Sequence, residues 1–365
     1  MKNTFGNNVT FTIFGESHGE EIGAVIDGMT PGVVVDEEYI ASRLALRRPS
    51  GKISTQRVEM DPFRIVSGVF NGRATGTPIC ICIPNSNTRS GDYSRTRALA
   101  RPGHADYTAN CKYHGYEDYR GGGHFSGRIT AAVVAAGAIA EMALSKKGIK
   151  IGTHIKRCAG VDDCEVTDID KAIECLHDKE FPALDENACE HMHANILKAA
   201  EEGDSVGGIL ETFVTGMPAG VGEPMFDTLE GQLAHALFAV PAIKGVEFGI
   251  GFGFADLKGS EANDPMRYED GKVVTTTNNN GGINGGISNG MPLNFSCVVK
   301  PTPSIYKKQD TIDFINGENG ELELQGRHDP AIIHRARIVV DSVTAITLFD
   351  VLVGRFGTDF FKPED

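Results

Sequence analysis

"SGRITAAVVAAGAIAEMALSKKG", residues 126–148, decides how this chain can fold. Alanine and leucine favour helix, Ser126 stands where an N-cap is wanted, and two lysines followed by Gly148 supply a C-terminal stop. Between Ile129 and Leu144 only Thr130 and Glu141 are polar. Such a helix has little to offer water, which argues for burial between other elements.

Strands and shorter helices surround it. Upstream, "VTFTIFG" alternates as a strand does, "GAVIDGMTPG" reads as a second strand ending in turn residues, and "FRIVSGVF" and "TPICICIP" follow. Between them "DEEYIASRLALRR" reads as a helix capped by Asp36, with acids ahead of bases as the helix dipole prefers. Downstream, "IKIGTHIKR", "VGGILETFVTGMP" and "LNFSCVVKP" read as strands, "FDTLEGQLAHALFAV" as an amphipathic helix and "DSVTAITLFDVLVGRF" as a closing helix. Residues 160–205 look like a peripheral helical insert, and the Gly/Asn-rich run 245–292 like a long loop or lid. No sharp linker or repeat divides the chain. The expectation is one domain over 1–365, mixed α and β, with several antiparallel pairs.

Composition narrows the function classes. The 365 residues carry a formal net charge of -14, yet Arg43–Arg128 holds 14 Lys+Arg against 6 Asp+Glu. A basic island in an acidic chain suits a small polyanion better than a nucleic-acid track, which usually makes a whole domain basic. No stretch of about 18 apolar residues is evident, so no membrane helix is expected. The start lacks an apolar signal core, and eight scattered cysteines without a Cys-x-x-Cys pair suit reduced thiols in a cytosol. Cys80 and Cys82 read as small hydrophobes on one strand face.

The island also holds the chemistry-bearing residues. "GESHGE" places His18 at a strand-to-turn junction, and "RPGHAD" places His104 in a turn beside Arg101 and Asp106. Two histidines in glycine-bounded turns suit proton transfer near neutral pH. "RGGGHFSGR" runs straight into the Ala-rich helix, so backbone N–H groups and a helix N-terminus can approach a phosphate or carboxylate. It lacks the Gly-Lys-Ser/Thr of a P-loop and the spacing of a dinucleotide fingerprint. "LRRPSGK" and "STQR" add Arg47, Arg48, Lys52 and Arg57, fork-shaped or point cations for anionic groups. "GRHDP" adds Arg327 and Asp329. His191 and His193, two apart on a helix, do not share a face and make no metal pair.

Taken in order, "FGESHGEEIGAVIDGMTPG", "RRPSGKISTQR", "RSGDYSRTRALARPGHADYT", "YRGGGHFSGRITAAVVAAGAIA", "GSEANDP", "NNNGGINGGISNGMP", "KPTPS" and "GRHDP" resemble the chorismate synthase family. The resemblance runs from about residue 4 to 350 and is weakest across 155–205. It implies an α+β fold of the β-α-β sandwich kind, with helices packed between two largely antiparallel sheets, assembled as a homotetramer. It implies a lyase that makes chorismate by 1,4-anti elimination of phosphate from 5-enolpyruvylshikimate 3-phosphate, with reduced FMN (FMNH2) required although no net redox occurs. Family members obtain that flavin with NADPH or from an external flavin reductase, in the cytoplasm.

The resemblance also assigns roles. His18 would protonate the leaving phosphate, His104 would stabilise reduced flavin, and Asp329 would take part in removing the substrate proton. Arg47, Arg48, Arg101 and Arg128 would hold the substrate anions, with Lys52 in the same loop. Flavin contacts would come from His124, Phe125, Ser126, Ala242, Gly285, Lys300, Pro301, Thr302, Pro303, Ser304 and Arg327. No metal, nucleic acid or membrane is implied. The chain departs from the common pattern at His124, Phe125, Pro241 and Asp341. Competing readings are another flavin or phosphate-ester enzyme on the same scaffold, and a single-stranded nucleic-acid binder resting on the Arg, Tyr and Gly of 89–128.

Overall fold

The computed structural model describes residues 2–49, 51, 53–54, 60–86, 97–324 and 328–364. Its helices are α1 (Glu37–Arg47), α2 (Asp106–Tyr113), α3 (Thr130–Lys146), α4 (Ile169–Leu176), α5 (Glu186–Glu201), α6 (Leu229–Ala239), α7 (Gly259–Ala262) and α8 (Ile333–Phe356). Local signals account for several boundaries. Asp36 accepts from the N–H groups of Glu38 and Tyr39 at the start of α1. Gly148, at φ +74°, turns the chain out of α3 and donates its N–H to Ser145 O. Ser126 caps as expected, but what it opens is a short 3-10 turn: its Oγ accepts from Arg128 N, and α3 proper begins at Thr130.

Two five-stranded sheets enclose the helices. The first runs Thr4–Phe5, Thr10–Gly15, Glu21–Asp27, Ile79–Pro84, Arg64–Ser67, and the second Ile243–Phe248, Leu293–Val299, Gly208–Thr215, Lys150–Cys158, Val161–Asp162. Every neighbouring pair in both is antiparallel. α3 lies on the first sheet and α8 on the second, and the two pack along each other, with α1 beside both. This is the expected sandwich.

The central contact explains the alanine. α3 is buried on nearly every face, and α8 is buried from Ile333 to Val353 except at Arg335. By length and apolar composition Gly127–Lys146 suffices to cross a bilayer, contrary to the sequence expectation; here it is the middle of the protein core. A Cβ added to Gly137 would stand 2.7 Å from Ser342 Cα, so the two helices touch backbone to backbone there. The hydroxyls of Ser342, Thr344 and Thr347 donate back to carbonyls one turn earlier, which satisfies them inside an otherwise apolar layer.

Buried ion pairs fasten the periphery. Asp350 of α8 accepts from the N–H groups of Asn7, Asn8 and Val9 at 2.7–2.9 Å, closing the first sheet onto the last helix. Arg337 pairs with Asp341, which also accepts from Thr153 Oγ1 at 2.6 Å. The same guanidinium donates to Leu176 O and Lys179 O, and Arg43 donates to His177 O. The core thereby grips the 160–205 insert, where α4 and α5 start from Asp168 and Asp185 caps. Under the insert, His154 puts Nδ1 3.0 Å from Asp163 and Nε2 3.0 Å from Glu211. Burial alone would lower this imidazole, but the two carboxylates outweigh it and raise its pKa. Asp163 and Glu211 are both lowered, because hydrogen bonds to them overcome their own burial.

Three further expectations change. α8 begins at Ile333, not Asp341, because Arg337 is neutralised by Asp341 one turn on and can be buried. Residues 245–292 are not one long loop. Asp264 accepts from Thr277 Oγ1, Asn279 N and both nitrogens of Asn280, and around it form α7 and the hairpins Met266–Glu269/Lys272–Thr275 and Ile283–Asn284/Ile287–Ser288. A further hairpin, Gln309–Asp313/Glu318–Leu322, was not anticipated.

Gly137→Ala should destabilise the protein by about 1–3 kcal/mol in urea unfolding, because overpacking outweighs the roughly 1 kcal/mol that alanine gains in a helix. His154→Gln should cost about 3 kcal/mol, since two buried carboxylates lose the cation between them. A raised imidazole pKa stabilises fully below its unfolded value near ~6.5 and loses that as pH rises through the folded value; lowered carboxylates stabilise above about 4 and lose that as pH falls. The gap between wild type and His154→Gln should therefore be widest between about pH 4.5 and 6.5 and shrink on either side, as denaturation across pH will read.

Candidate active site

Two loops from the first sheet and the glycine-rich turn before α3 meet at one end of the sandwich. The Glu16-Ser17-His18-Gly19 turn follows the Thr10–Gly15 strand, and its ends are tied by Asn85, whose Nδ2 donates to Glu16 O and Gly19 O, both at 2.9 Å. Ser17 N donates to Gly123 O, and Ser17 Oγ donates to Arg120 O, leaving its lone pairs to accept from His18 Nδ1 3.2 Å away.

The triple glycine stands between the histidines. Gly121, Gly122 and Gly123 all have φ between +53° and +89°, a region closed to most side chains. A Cβ on Gly121 would run into the His18 ring and stand 2.8 Å from Ser17 Oγ; one on Gly122 would stand 3.1 Å from His104 Cε1. Consecutive glycines thus each face one imidazole. His124 donates from Nδ1 to Gly15 O, 2.7 Å away; a carbonyl only accepts, so Nδ1 carries the proton and one nitrogen is already engaged.

His104 sits in the expected turn. Arg101 donates to Asp106 from its backbone N, from Nε and from its guanidinium NH2, at 2.7–2.9 Å, and His104 Nδ1 lies 2.9 Å from Asp106 Oδ1. Burial alone would raise the Asp106 carboxyl, but Arg101 and His104 hold it well below the usual carboxylate range. On the far side of this turn Lys300 Nζ donates to Gly103 O, and Pro303 packs close to Gly103. A cleft opens beside His104, walled by Arg97, Arg101, Tyr119, Phe125 and Phe314.

The arginines are organised by a residue that sequence reasoning missed. Asp61, 3% exposed and at φ +46°, accepts from Arg47 through one oxygen (2.9 Å) and from Arg128 through the other. Burial opposes its ionisation, but the two guanidinium groups lower its pKa. Arg128 also donates Nε to Asn85 Oδ1, which links it to the His18 turn. Arg48 donates to Met60 O beside Asp61. Asp329 pairs with Arg335 at 2.8 Å, and Arg335 Nε donates to Arg47 O. The only sequence signal for Asp61 is an Asp-Pro in a turn, and for Asn85 an Asn at a strand end; neither announces a partner.

Not every expected residue joins this cluster. Ala242, at φ +74°, reaches it through its carbonyl, which accepts from Lys300 N. Gly285 forms the tip of a hairpin whose contacts run to the 218–229 segment. Pro301, Thr302 and Ser304 continue the Lys300 loop, with Thr302 O accepting from Ser205. Ser126 is spent on its cap, and Phe125 stands at the cleft, edge-on to Tyr113. Lys52, Arg57 and Arg327 lie outside the described residues.

Two imidazoles facing consecutive glycines, beside arginines tied to shared carboxylates at one end of an α+β sandwich, suit an enzyme. Known proteins say which kind. The family model for chorismate synthase matches residues 9–353. Curated chorismate synthases are similar over 96% of this chain: 47% identity in Pyrococcus abyssi, covering 97% of that protein, and 46% in Dehalococcoides mccartyi strain BAV1, covering 96%. A crystal structure of chorismate synthase superposes with a TM-score of 0.74 at 29% identity, covering 96% of this chain and 94% of the other. The chain belongs to the chorismate synthase family, and it is a lyase.

Gly121→Ala should displace His18 and cut turnover by about 100-fold, the cost of roughly 1 Å of misplacement. Gly127→Ala, with open space around its missing Cβ and no positive φ, should stay near wild type. Steady-state rates alongside thermal melts will separate a displaced histidine from a damaged fold.

Proposed function

We propose that this protein catalyses the 1,4-anti elimination of phosphate from 5-enolpyruvylshikimate 3-phosphate, yielding chorismate, with reduced FMN as obligatory cofactor. The observation that carries the reading is the pairing of His18 and His104 across consecutive glycines beside Arg47, Arg101 and Arg128. The substrate bears two carboxylates and a phosphate, which suits this cluster of arginines and histidines. Arg47, Arg48, Arg101 and Arg128, with Lys52, would bind and orient those anions. His18, its Nδ1 held by Ser17, would give a proton to the leaving phosphate, which departs poorly as a trianion. Asp329 would take part in moving the substrate proton, its charge steadied by Arg335.

The chain's residues fit a flavin. Gly122 leaves an imidazole edge uncovered, and Thr302 Oγ1 is buried without a hydrogen-bond partner among the described residues. His124, Phe125, Ser126, Ala242, Gly285, Lys300–Ser304 and Arg327 would hold it, with His104 beside it. Bound and reduced, such a group would supply electron density for breaking the C–O bond. The same proposal includes one chorismate synthase-like unit over 1–365, cytoplasmic location, and supply of reduced flavin with NADPH or by an external reductase. It also includes a homotetramer, which would cover the exposed Phe226, Phe238 and Phe252.

An anaerobic assay with 5-enolpyruvylshikimate 3-phosphate and reduced FMN should release chorismate and phosphate in equal amounts. Equal turnover with oxidised FMN overturns the reading. His18→Ala and His104→Ala should each slow the reaction by roughly 10- to 1,000-fold, and two near-normal rates would make both histidines structural.

A further inference from the structure

We propose that Asp106 is the positioning residue that sets which nitrogen of His104 exchanges protons. His104 Nδ1 lies 2.9 Å from Asp106 Oδ1 and 3.0 Å from the Arg101 NH2 group, which is itself 2.7 Å from the same oxygen. Arg101 is a donor only, and the carboxylate it grips is an acceptor only. If Nδ1 lacked a proton, its lone pair would face the lone pairs of Oδ1 at 2.9 Å. Nδ1 therefore carries the proton and donates it to Oδ1, and the Arg101–His104 approach is that of two donors converging on one oxygen. The lone pair of the neutral ring is left on Nε2, which lies 3.3 Å from where a Cβ of residue 122 would stand. Glycine there keeps that nitrogen open. When Nε2 takes a proton, the cation forms against a carboxylate already held ionised by Arg101.

The other oxygen makes the arrangement one-way. Asp106 Oδ2 accepts from Arg101 N and Arg101 Nε, at 2.9 and 2.8 Å, and neither of these can become an acceptor. In Asp106→Asn the amide oxygen must stay on that side, so the amide NH2 faces His104. Nδ1 can adapt only by giving up its proton and accepting, which moves the proton of the neutral ring to Nε2. The amide NH2 also deprives the Arg101 NH2 group of its acceptor at 2.7 Å, leaving it to donate to the freed Nδ1 3.0 Å away, so the substitution reverses the tautomer while the two bonds to the other oxygen hold the turn.

The activity arm of the test rests on the chorismate synthase reading; the spectroscopic arm does not. In full-length protein labelled with 15N-histidine, with His104 assigned by the signal lost in His104→Ala, wild type should show a protonated Nδ1 and an acceptor Nε2. Asp106→Asn should show the reverse. Turnover of Asp106→Asn should fall about 10- to 100-fold with KM within about twofold, within the range of acid–base assistance. Asp106→Asn combined with His104→Ala should be no slower than His104→Ala alone, because the two act as one unit. Asp106→Glu should recover part of the rate. The same ring tautomer in wild type and Asp106→Asn, or losses that multiply in the double variant, would overturn the proposal. If wild type makes no chorismate, the family reading fails, and the nitrogen signals still decide the role of Asp106.

Discussion

The backbone contact between Gly137 and Ser342 sets the spacing of the whole molecule. Two sheets can share one helical layer only if α3 and α8 lie close enough for each to reach its own sheet and the other helix. Small residues along α3 permit that approach, and the cost is a helix with no polar face. Once α3 is fixed, so is its N-terminal approach. The glycine-rich turn that leads into it must pass the ends of the Thr10–Gly15 and Ile79–Pro84 strands, which carry the His18 turn and Asn85. The core geometry and the site geometry are thus the same fact seen from two ends.

The site is held by polar contacts rather than by packing. Asn85, Asp61 and Arg335 each join residues from different segments, and each uses both sides of its polar group. Shared carboxylates hold guanidinium groups that would otherwise repel one another. The histidines are oriented by neighbours in their own turns, Ser17 for His18 and Asp106 for His104, so the rings keep their aim without a bulky wall around them.

What could be read from the sequence follows from how local each signal is. The Asp36 cap, the Gly148 stop, the strand alternation of "VTFTIFG" and the Arg101–His104–Asp106 turn lie within a few residues of their partners, and the structure keeps them. Asp61 is 67 residues from Arg128, and nothing near it in the chain predicts that pairing. The first turns of α8 were hidden because Arg337 looks like a surface residue until Asp341 is placed beside it. The Gly/Asn-rich run looked unstructured because its organiser, Asp264, is a single carboxylate capturing several backbone groups. The motif residues themselves were identified by resemblance, and their roles by the same route.

The place of α8 has a consequence for how the protein is made. Its buried face completes the layer between the sheets, and Asp350 holds the backbone of Asn7, Asn8 and Val9, 341–343 residues away. While the ribosome is still extending the chain, α3 and the first sheet lack the surface that covers them. Closure of the core waits for α8, so the apolar side of α3 lacks this cover until residues 333–353 have been made. The first half of the chain therefore carries an apolar helix whose cover lies about 200 residues further on, a non-local contact of the kind that makes folding slow and exposes partly made chains to aggregation.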